Sequence, residues 1–262
     1  MEYSYIITHR ENDLSRKKNL NSILEWVSSI STNIEVLLVE QDEAPKINKS
    51  KLPSTCKYIF IHNCGLFNRA WGLNVGFRYS KGNAVALADN DVLVDKDILF
   101  DCFTVCADNE YNYDAIKPFN RVIDLSKATT ENYLNGELSL KSLTNTQEKQ
   151  RTGISFCGGI TFFKRKSFEF LGGFDERFIG WGGEDDAMSR FKIPLLKKVY
   201  VVEGTAYHLW HERANDESYR YSNYQNNLKL LEEYAQLDQQ EVLKLCRRTR
   251  SSFGKVGTND CL

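Results

Sequence analysis

In the N-terminal part of the chain, short apolar runs alternate with segments of helical periodicity. Runs typical of buried strands cover residues Tyr3 to Ile7, Ile34 to Val39, Tyr58 to Ile61 and Ala84 to Leu87. Apolar residues at helical spacing predict amphipathic helices over Leu14 to Ser29 and Phe67 to Tyr79. Strands that alternate with helices predict an α/β fold with a mostly parallel central sheet flanked by helices. In such sheets, ligands bind beyond the carboxyl ends of the strands.

The middle of the chain has a different pattern. Residues Asn120 to Arg151 are mostly polar with little periodicity, and we expect a long excursion that serves as a lid or binding loop. Beyond it, a strand is predicted over Phe156 to Lys164, with a short helix near Phe168, and a further strand over Val199 to Glu203. Residues 218 to 250 are helical in pattern.

Composition narrows the class of protein. The 262 residues are 42% hydrophobic and 26% charged, which is enough to bury a sizeable core. The net charge of -1 gives no general attraction to nucleic acid, so we expect no nucleic-acid partner. No apolar run is long enough to span a bilayer, and the start, MEYSYIITHREND, lacks the basic and then apolar order of a signal peptide. We therefore expect a cytoplasmic protein.

The cysteines do not suggest a disulfide framework. There are seven, an odd number, without a CxxC pair, and four of them lie inside predicted strands or helices. We expect reduced, partly buried thiols rather than disulfides or a zinc cluster. They are Cys56, Cys64, Cys102, Cys106, Cys157, Cys246 and Cys261.

Two carboxylates, Asp89 and Asp91, directly follow the predicted strand AVALA. One interpretation is a polar turn, because Asp and Asn are common turn formers. The other is a site whose oxygen ligands bind a divalent cation that also holds a phosphate. Upstream, Asn68 and Arg69 begin the second predicted helix, where backbone N–H groups and a guanidinium favour an anion. A diphosphate between that helix and Asp91 would need a metal ion to bridge the like charges, which favours the second interpretation.

His208 and His211 supply two imidazoles three positions apart, in a chain with four histidines. A single histidine is commonly a structural residue, and that is the alternative for each of them. They follow a strand whose end we expect near Asp91. Imidazole, carboxylate and phosphate ligands together suit Mn²⁺ better than Mg²⁺, which stays an alternative. We therefore predict a divalent metal ion held by Asp91, His211 and His208.

The segment GWGGEDDAMSRF places three consecutive acids, Glu184, Asp185 and Asp186, at the start of a short predicted helix. Acids in the first turn of a helix are common as caps, which is one interpretation. Three acids exceed what a cap needs, and Gly182 and Gly183 allow the backbone to pass close to a ligand. In the chemical interpretation, one acid removes a proton from a hydroxyl while a neighbouring acid orients that hydroxyl.

Five motifs together resemble the β-1,4-galactosyltransferases and related enzymes of the GT-A fold, including bacterial family 2 enzymes that build polysaccharides. In chain order they are FNRAWGLNVGF, ADND, FCGGITFFKR, LGGFDERFIGWGGEDDAMSRF and HLWH. The resemblance extends from about Ile6 to His211 and implies a GT-A, Rossmann-like fold over residues 1–215. Its nucleotide-binding half would reach to about residue 95, with the acceptor and catalytic half from about residue 96. Residues 216–262 would form a C-terminal helical extension.

The resemblance implies roles for the acid cluster. Asp185 lies at the position of the catalytic base, and Glu184 and Asp186 lie where the family holds acceptor or donor hydroxyls. The family motif continues with a third Asp where this chain has Ala187.

The resemblance also implies a donor site and a metal site. Asp91 corresponds to the metal-binding second acid of the D-x-D motif and His211 to the metal-binding histidine, while His208 stands where the animal enzymes have a methionine. The nucleotide, diphosphate and sugar of the donor would be bound by Arg10, Phe67, Arg69, Asp89, Trp181, Gly158 and Gly159.

The implied activity is metal-dependent, inverting transfer of a hexose or N-acetylhexosamine from a UDP-sugar to a hydroxyl of a saccharide acceptor. The donor would be of the UDP-Gal, UDP-GalNAc or UDP-Glc type, in polysaccharide or glycoconjugate synthesis. A retaining transferase on the same fold is one alternative, because fold does not fix function. A catalytically idle module that binds a nucleotide sugar or a carbohydrate is the other.

The segment LKLCRRTRSSFGK carries five basic residues with no acid between them. Such a run is commonly a solvated helix end. It could also contact the anionic inner face of a membrane, where a lipid-linked saccharide acceptor would be presented. The five residues are Lys244, Arg247, Arg248, Arg250 and Lys255.

Overall fold

A computed structural model describes residues 2–145, 148–212 and 217–257 of the chain. The strands are β1 (Tyr3–His9), β2 (Ile34–Asp42), β3 (Cys56–His62), β4 (Ala84–Ala88), β5 (Val92–Leu93), β6 (Ala115–Lys117), β7 (Arg121–Asp124), β8 (Lys149–Arg151), β9 (Ile160–Lys164), β10 (Val199–Val201) and β11 (Thr205–His208). The helices are α1 (Leu14–Ser28), α2 (Arg69–Tyr79), α3 (Lys96–Ala107), α4 (Lys127–Leu134), α5 (Arg165–Phe170), α6 (Glu184–Ala187), α7 (Glu217–Gln236) and α8 (Gln239–Thr249).

The main sheet has seven strands in the order β10-β6-β9-β4-β1-β2-β3. Strands β1 to β4 run parallel to one another, whereas β9 runs antiparallel to both β4 and β6. Every residue of β1, β2 and β4 is buried, because side chains pack on both faces. Tyr5 and Ile7 belong to the core that includes Leu20 of α1, while Ile6 belongs to the core that includes Leu73 of α2. The predicted mostly parallel sheet flanked by helices is confirmed.

A second, smaller sheet has the strand order β5-β11-β7-β8. It shows that the prediction of a long excursion over Asn120 to Arg151 is wrong, because this segment contains β7, α4 and β8. Residues 146 and 147 of the segment lie outside the described residues. Val122 and Ile123 of β7 are buried, but the strand has only four residues, so the apolar pattern is too short to stand out.

Three further predictions differ in extent from the structure. The predicted strand over Phe156 to Lys164 begins later, as β9, because Gly158 and Gly159 adopt φ values of +106° and +72° that do not fit a strand. The predicted strand over Val199 to Glu203 is limited to β10. The C-terminal helical segment is divided into α7 and α8, because Asp238 starts α8 with a capping box.

The cysteines are free thiols in the part of the chain that the structure describes, as expected. Cys102, Cys106, Cys157 and Cys246 are buried, and Cys261 lies outside the described residues. None of the helices within residues 2–145, 148–212 and 217–257 combines the length and the apolar character needed to cross a membrane.

Candidate active site and metal centre

The small sheet places two histidines beside Asp91. β5 follows Asp91 directly and pairs antiparallel with β11, with Val92 opposite His208. The backbone N–H of Leu209 then donates to the carbonyl oxygen of Asp91 at 2.8 Å. This register brings the HLWH segment, with His211, to the end of β4, although the two segments are far apart in the sequence.

Asp91, His208 and His211 each offer a ligand atom, and these atoms lie within 4.8 Å of one another. His208 Nε2 lies 3.7 Å from Asp91 Oδ1, and His211 Nε2 lies 3.5 Å from Asp91 Oδ2. The Nδ1 atoms face other oxygens, Asp124 Oδ1 at 3.3 Å and Glu212 O at 2.9 Å. A His208 ring that donates through Nδ1 to Asp124 keeps Nε2 for a metal ion. The donor set therefore fits a divalent ion such as Mn²⁺.

Arg16 of α1 lies against the same cluster. Its Nη1 is 4.0 Å from Asp91 Oδ2, and its Nη2 is 3.2 Å from His211 Nδ1. Burial lowers the pKa of His211, so the ring is neutral near pH 7, the form that binds metals. Burial also acts to lower the pKa of His208, but the carboxylates of Asp91 and Asp124 outweigh it and raise that pKa.

One guanidinium joins the acid after β4 to the acid cluster of α6. Arg69 Nε donates to Asp89 Oδ1 at 2.5 Å, and Arg69 Nη1 donates to Asp185 Oδ1 at 2.9 Å. Glu184 Oε1 lies 3.6 Å from the same Nη1. Arg69 is the first residue of α2, and the side chain of Asn68 caps this helix. The anion that the sequence predicts for Arg69 is thus matched here by carboxylates of the protein itself.

A glycine turn lies between Asp89 and Asp185. The backbone N–H of Gly159 donates to Asp89 Oδ2 at 3.0 Å. A Cβ at Gly158 would lie 3.1 Å from Asp185 Oδ2, so the backbone passes against the predicted base. Lys117 is buried behind the turn, and its Nζ donates to the carbonyl oxygen of Gly158 at 3.2 Å. Burial lowers the pKa of Lys117 to about 8.

The acids of α6 differ in their contact with water, since the side chain of Asp185 is 29% exposed and Asp186 is half-buried. Glu184 is 8% exposed, and burial raises its pKa to about 8, with the charge of Asp185 acting in the same direction. Burial also raises the pKa of Asp185, and Arg69 opposes that increase. Asp186 differs, because its Oδ1 accepts a hydrogen bond from Ser155 Oγ at 3.1 Å. Carboxyls of raised pKa suit proton transfer.

The loop that carries Trp181 is held by α7. Asn227 Nδ2 donates to the carbonyl oxygens of Trp181 at 3.1 Å and Gly182 at 2.7 Å. The indole packs against the ring of Tyr224, with centroids 5.2 Å apart, yet Trp181 stays 62% exposed. Gly183 has a φ of +100°, and a Cβ there would clash with a buried aromatic ring. Helix α7 therefore fixes the backbone while the indole remains accessible to a ligand.

Arg10 and Phe67 lie together, with the guanidinium 5.9 Å from the ring centroid. Arg10 donates to the carbonyl oxygens of Gln41 at 2.7 Å, Asn63 at 2.8 Å and Gly65 at 2.7 Å. Arg10 thus shapes the loop that leads to Phe67. Its predicted contact with the nucleotide stays a prediction.

Three residues of the site lie outside the sequence motifs. Arg16 lies in the amphipathic pattern of α1, and Asp124 lies in the polar excursion, where a single charged residue carries no signal. Lys117 has a signal, because it interrupts the apolar residues of the segment AIKPF. A lysine inside a buried strand is uncommon without a polar partner.

The sequence is similar to that of known transferases. Residues 141–193 match the family described as the N-terminal domain of galactosyltransferase. The chain is 28% identical over 190 residues to chondroitin sulfate N-acetylgalactosaminyltransferase 1 of Homo sapiens, an alignment that covers 63% of this chain and 31% of that protein. The chain thus spans less than a third of the length of the curated relatives it matches.

Solved structures share the architecture. S. aureus TarS (residues 1–349) has a TM-score of 0.55 at 15% identity, covering 97% of this chain and 72% of that chain. The mannosyltransferase PcManGT from Pyrobaculum calidifontis, in complex with GDP-Man and Mn²⁺, has a TM-score of 0.52 at 15% identity, covering 95% and 73%. This chain has the GT-A glycosyltransferase fold. The resemblance drawn from the five motifs is therefore confirmed.

Proposed function

We propose that this chain is a metal-dependent glycosyltransferase that moves a hexose or N-acetylhexosamine from a UDP-sugar to a saccharide hydroxyl, with inversion at the anomeric carbon. One arrangement carries the proposal. Arg69 joins Asp89 to Asp185, and Asp91, two residues beyond Asp89, lies with His208 and His211 in a group whose ligand atoms are within 4.8 Å of one another. A single displacement needs a base on one side of the sugar and a site for the leaving diphosphate on the other, and this arrangement offers both.

Asp185 is the residue that we assign as general base. Its carboxylate takes the proton of the acceptor hydroxyl while the hydroxyl oxygen bonds to the anomeric carbon and the bond from that carbon to the UDP oxygen breaks. Glu184 and Asp186 orient hydroxyls of the two sugars. A general base of this kind contributes ~10²- to 10⁴-fold to the rate.

Asp91, His208 and His211 are the residues that would hold the metal ion. A divalent cation bound there offsets the negative charge on the departing diphosphate. Two imidazoles favour Mn²⁺ over Mg²⁺, because Mg²⁺ prefers oxygen ligands. Trp181 would cover the donor sugar and exclude water, which otherwise hydrolyses the donor.

The curated relatives indicate which donors to test first. They are named as N-acetylgalactosaminyltransferases, and the matched family is described as galactosyltransferase, so UDP-GalNAc and UDP-Gal come before UDP-Glc. The acceptor would be a saccharide, free or lipid-linked. A lipid-linked acceptor agrees with the basic residues of α8, which would place the protein at the cytoplasmic face of a membrane.

The experiment is a panel of UDP-sugars incubated with saccharide acceptors, with Mn²⁺ or with a chelator, in which UDP release is measured. We expect release that depends on both the acceptor and the metal ion, and a product whose anomeric configuration, read by NMR, is inverted. Asp185→Asn should lower transfer by ~10²- to 10⁴-fold. Asp101→Asn, on the exposed side of α3, is the matched control and should leave transfer unchanged.

Other outcomes point elsewhere. Binding of a UDP-sugar without UDP release would indicate an idle binding module, and a retained anomeric configuration would indicate a retaining transferase. Near-normal transfer by a folded Asp185→Asn variant would contradict the assignment of the base.

A further inference from the structure

Four polar residues lie in a row across the small sheet, and two of them, Asp124 and Arg151, lie outside the five sequence motifs. The four strands are ordered β5-β11-β7-β8, and each begins next to or ends in one of these residues: Asp91, His208, Asp124 and Arg151. The register of β11 and β7 places His208 opposite Asp124. The backbone N–H of Leu125 donates to the carbonyl oxygen of His208 at 2.9 Å, which fixes the two strand ends together.

The contacts along this line are continuous. Arg151 donates a hydrogen bond to each carboxylate oxygen of Asp124, from Nε to Oδ2 and from Nη2 to Oδ1, both at 2.7 Å. Asp124 Oδ1 lies 3.3 Å from His208 Nδ1, on the side of the ring away from Asp91. His208 Nε2 lies 3.7 Å from Asp91 Oδ1. The imidazole therefore stands between a carboxylate that is held by an arginine and the carboxylate of the metal-binding group.

We propose that Asp124, held by Arg151, is a positioning residue that fixes His208 as a metal ligand. This inference rests on the proposed metal-dependent function. Asp124 keeps a proton on Nδ1 of His208, which leaves the Nε2 lone pair directed at the metal position and prevents the ring from turning over. The polar segment from β7 to β8 thus supports the metal site through its contact with His208.

The test is the Mn²⁺ affinity of the full chain, measured by the EPR signal of free Mn²⁺ in the absence of any sugar. Partners that orient a metal-binding histidine typically account for ~10- to 100-fold in affinity, so we expect Asp124→Ala to weaken Mn²⁺ binding by that factor. Arg151→Met should weaken it by a smaller factor. Arg177→Met is the matched control, because Arg177 is also a half-exposed arginine paired with an aspartate, Asp175. It should leave Mn²⁺ affinity unchanged.

A double-mutant comparison separates positioning from general stabilisation. If Asp124 acts through His208, Asp124→Ala should have no further effect on Mn²⁺ affinity in a chain that already carries His208→Ala. Equal, additive losses in both backgrounds would overturn the inference, as would unchanged affinity in folded Asp124→Ala and Arg151→Met. Wild-type chain that binds no Mn²⁺ would overturn the proposed metal dependence as well. Mn²⁺ binding without sugar transfer would leave this inference standing and count against the proposed activity alone.

Discussion

Arg69 Nη1 lies 2.9 Å from Asp185 Oδ1, so the first residue of α2 is ion-paired with the predicted catalytic base 116 residues further along the chain. The Nε atom of the same guanidinium bonds Asp89. Because burial raises the pKa of Asp185 while Arg69 lowers it, the cation helps to keep the base ionised in a site that otherwise favours its protonated form.

Replacing Arg69 should therefore change the pH dependence of transfer. In Arg69→Met, burial acts on Asp185 without the opposing cation, so its pKa rises. A base must be deprotonated, and a higher pKa moves the acid limb of the kcat/KM profile to higher pH. We expect a loss of roughly tenfold or more at pH 7 that is partly recovered at higher pH. Arg177→Met is a control away from the acid cluster, and an acid limb that stays in place in Arg69→Met would contradict the pairing.

Glu184 should make stability depend on pH in a specific direction. Its pKa is raised from 4.5 to about 8 by burial. A carboxyl with a raised folded-state pKa stabilises the fold fully below pH 4.5, and that stabilisation is lost as the pH rises towards 8. The side chain in Glu184→Gln cannot ionise, so the free energy of unfolding of this variant relative to wild type should rise by up to about 4 kcal/mol across this range. Urea unfolding at pH 4.5 and pH 8 measures the difference. The exposed Glu131→Gln should show none, and a constant difference for Glu184→Gln would contradict the prediction.

Gly158 should be needed for activity more than for stability. Gly158 and Gly136 have φ values of +106° and +79°, so alanine is strained at both and costs about 1–2 kcal/mol. A Cβ at Gly158 would lie 3.1 Å from Asp185 Oδ2, whereas a Cβ at Gly136 meets nothing within 4 Å. Because a shift of the base by a fraction of an ångström misaligns proton transfer, we expect Gly158→Ala to lower kcat by ~10- to 100-fold. Gly136→Ala is the matched control, and equal activity in the two variants would show that the close approach does not matter.

The parallel half of the fold can be predicted from the sequence because its strands are buried on both faces. Every residue of β1, β2 and β4 is buried, and such strands appear as continuous apolar runs. The small sheet cannot be predicted in this way. β7 has four residues and β8 has three, all of them exposed in β8, so neither offers a pattern that differs from a loop.

Some residues of the candidate site can likewise be predicted from the sequence, and others cannot. Asp91, His211 and Asp185 can be found because each lies in a short motif where several polar residues are concentrated. Asp124 gains its position only through the register of β7 with β11, and Arg16 gains its position only because the fold places α1 beside Asp91. Long-range register is not encoded in the local pattern around a single Asp or Arg.

The basic residues of the C-terminal segment are predicted to bind an anionic membrane surface. Lys244, Arg247 and Arg248 line a groove of about 700 Å³ between α7 and α8, while Arg250 is held against the body of the protein through a 2.9 Å hydrogen bond from Nη2 to the carbonyl oxygen of Phe170. The basic residues therefore do not all face the same way. Each one near an anionic surface contributes ~1 kcal/mol, so a membrane contact made by this segment must weaken when its residues are neutralised.

We expect weaker co-sedimentation of the full chain with vesicles of phosphatidylglycerol and phosphatidylcholine when five basic residues are replaced by glutamine. The five are Lys244, Arg247, Arg248, Arg250 and Lys255. Binding of the wild-type chain to the vesicles should fall as the salt concentration is raised from roughly 50 to roughly 300 mM, because charges at a surface are screened over about 10 Å at 0.1 M ionic strength. The control variant carries the same change in net charge at exposed lysines elsewhere: Lys18, Lys49, Lys51, Lys57 and Lys81. An equal loss in both variants would mean that net charge alone attracts the protein to the vesicles, and no loss in the C-terminal variant would remove the membrane contact from the proposed function. A loss confined to the C-terminal variant would assign the membrane contact to this segment.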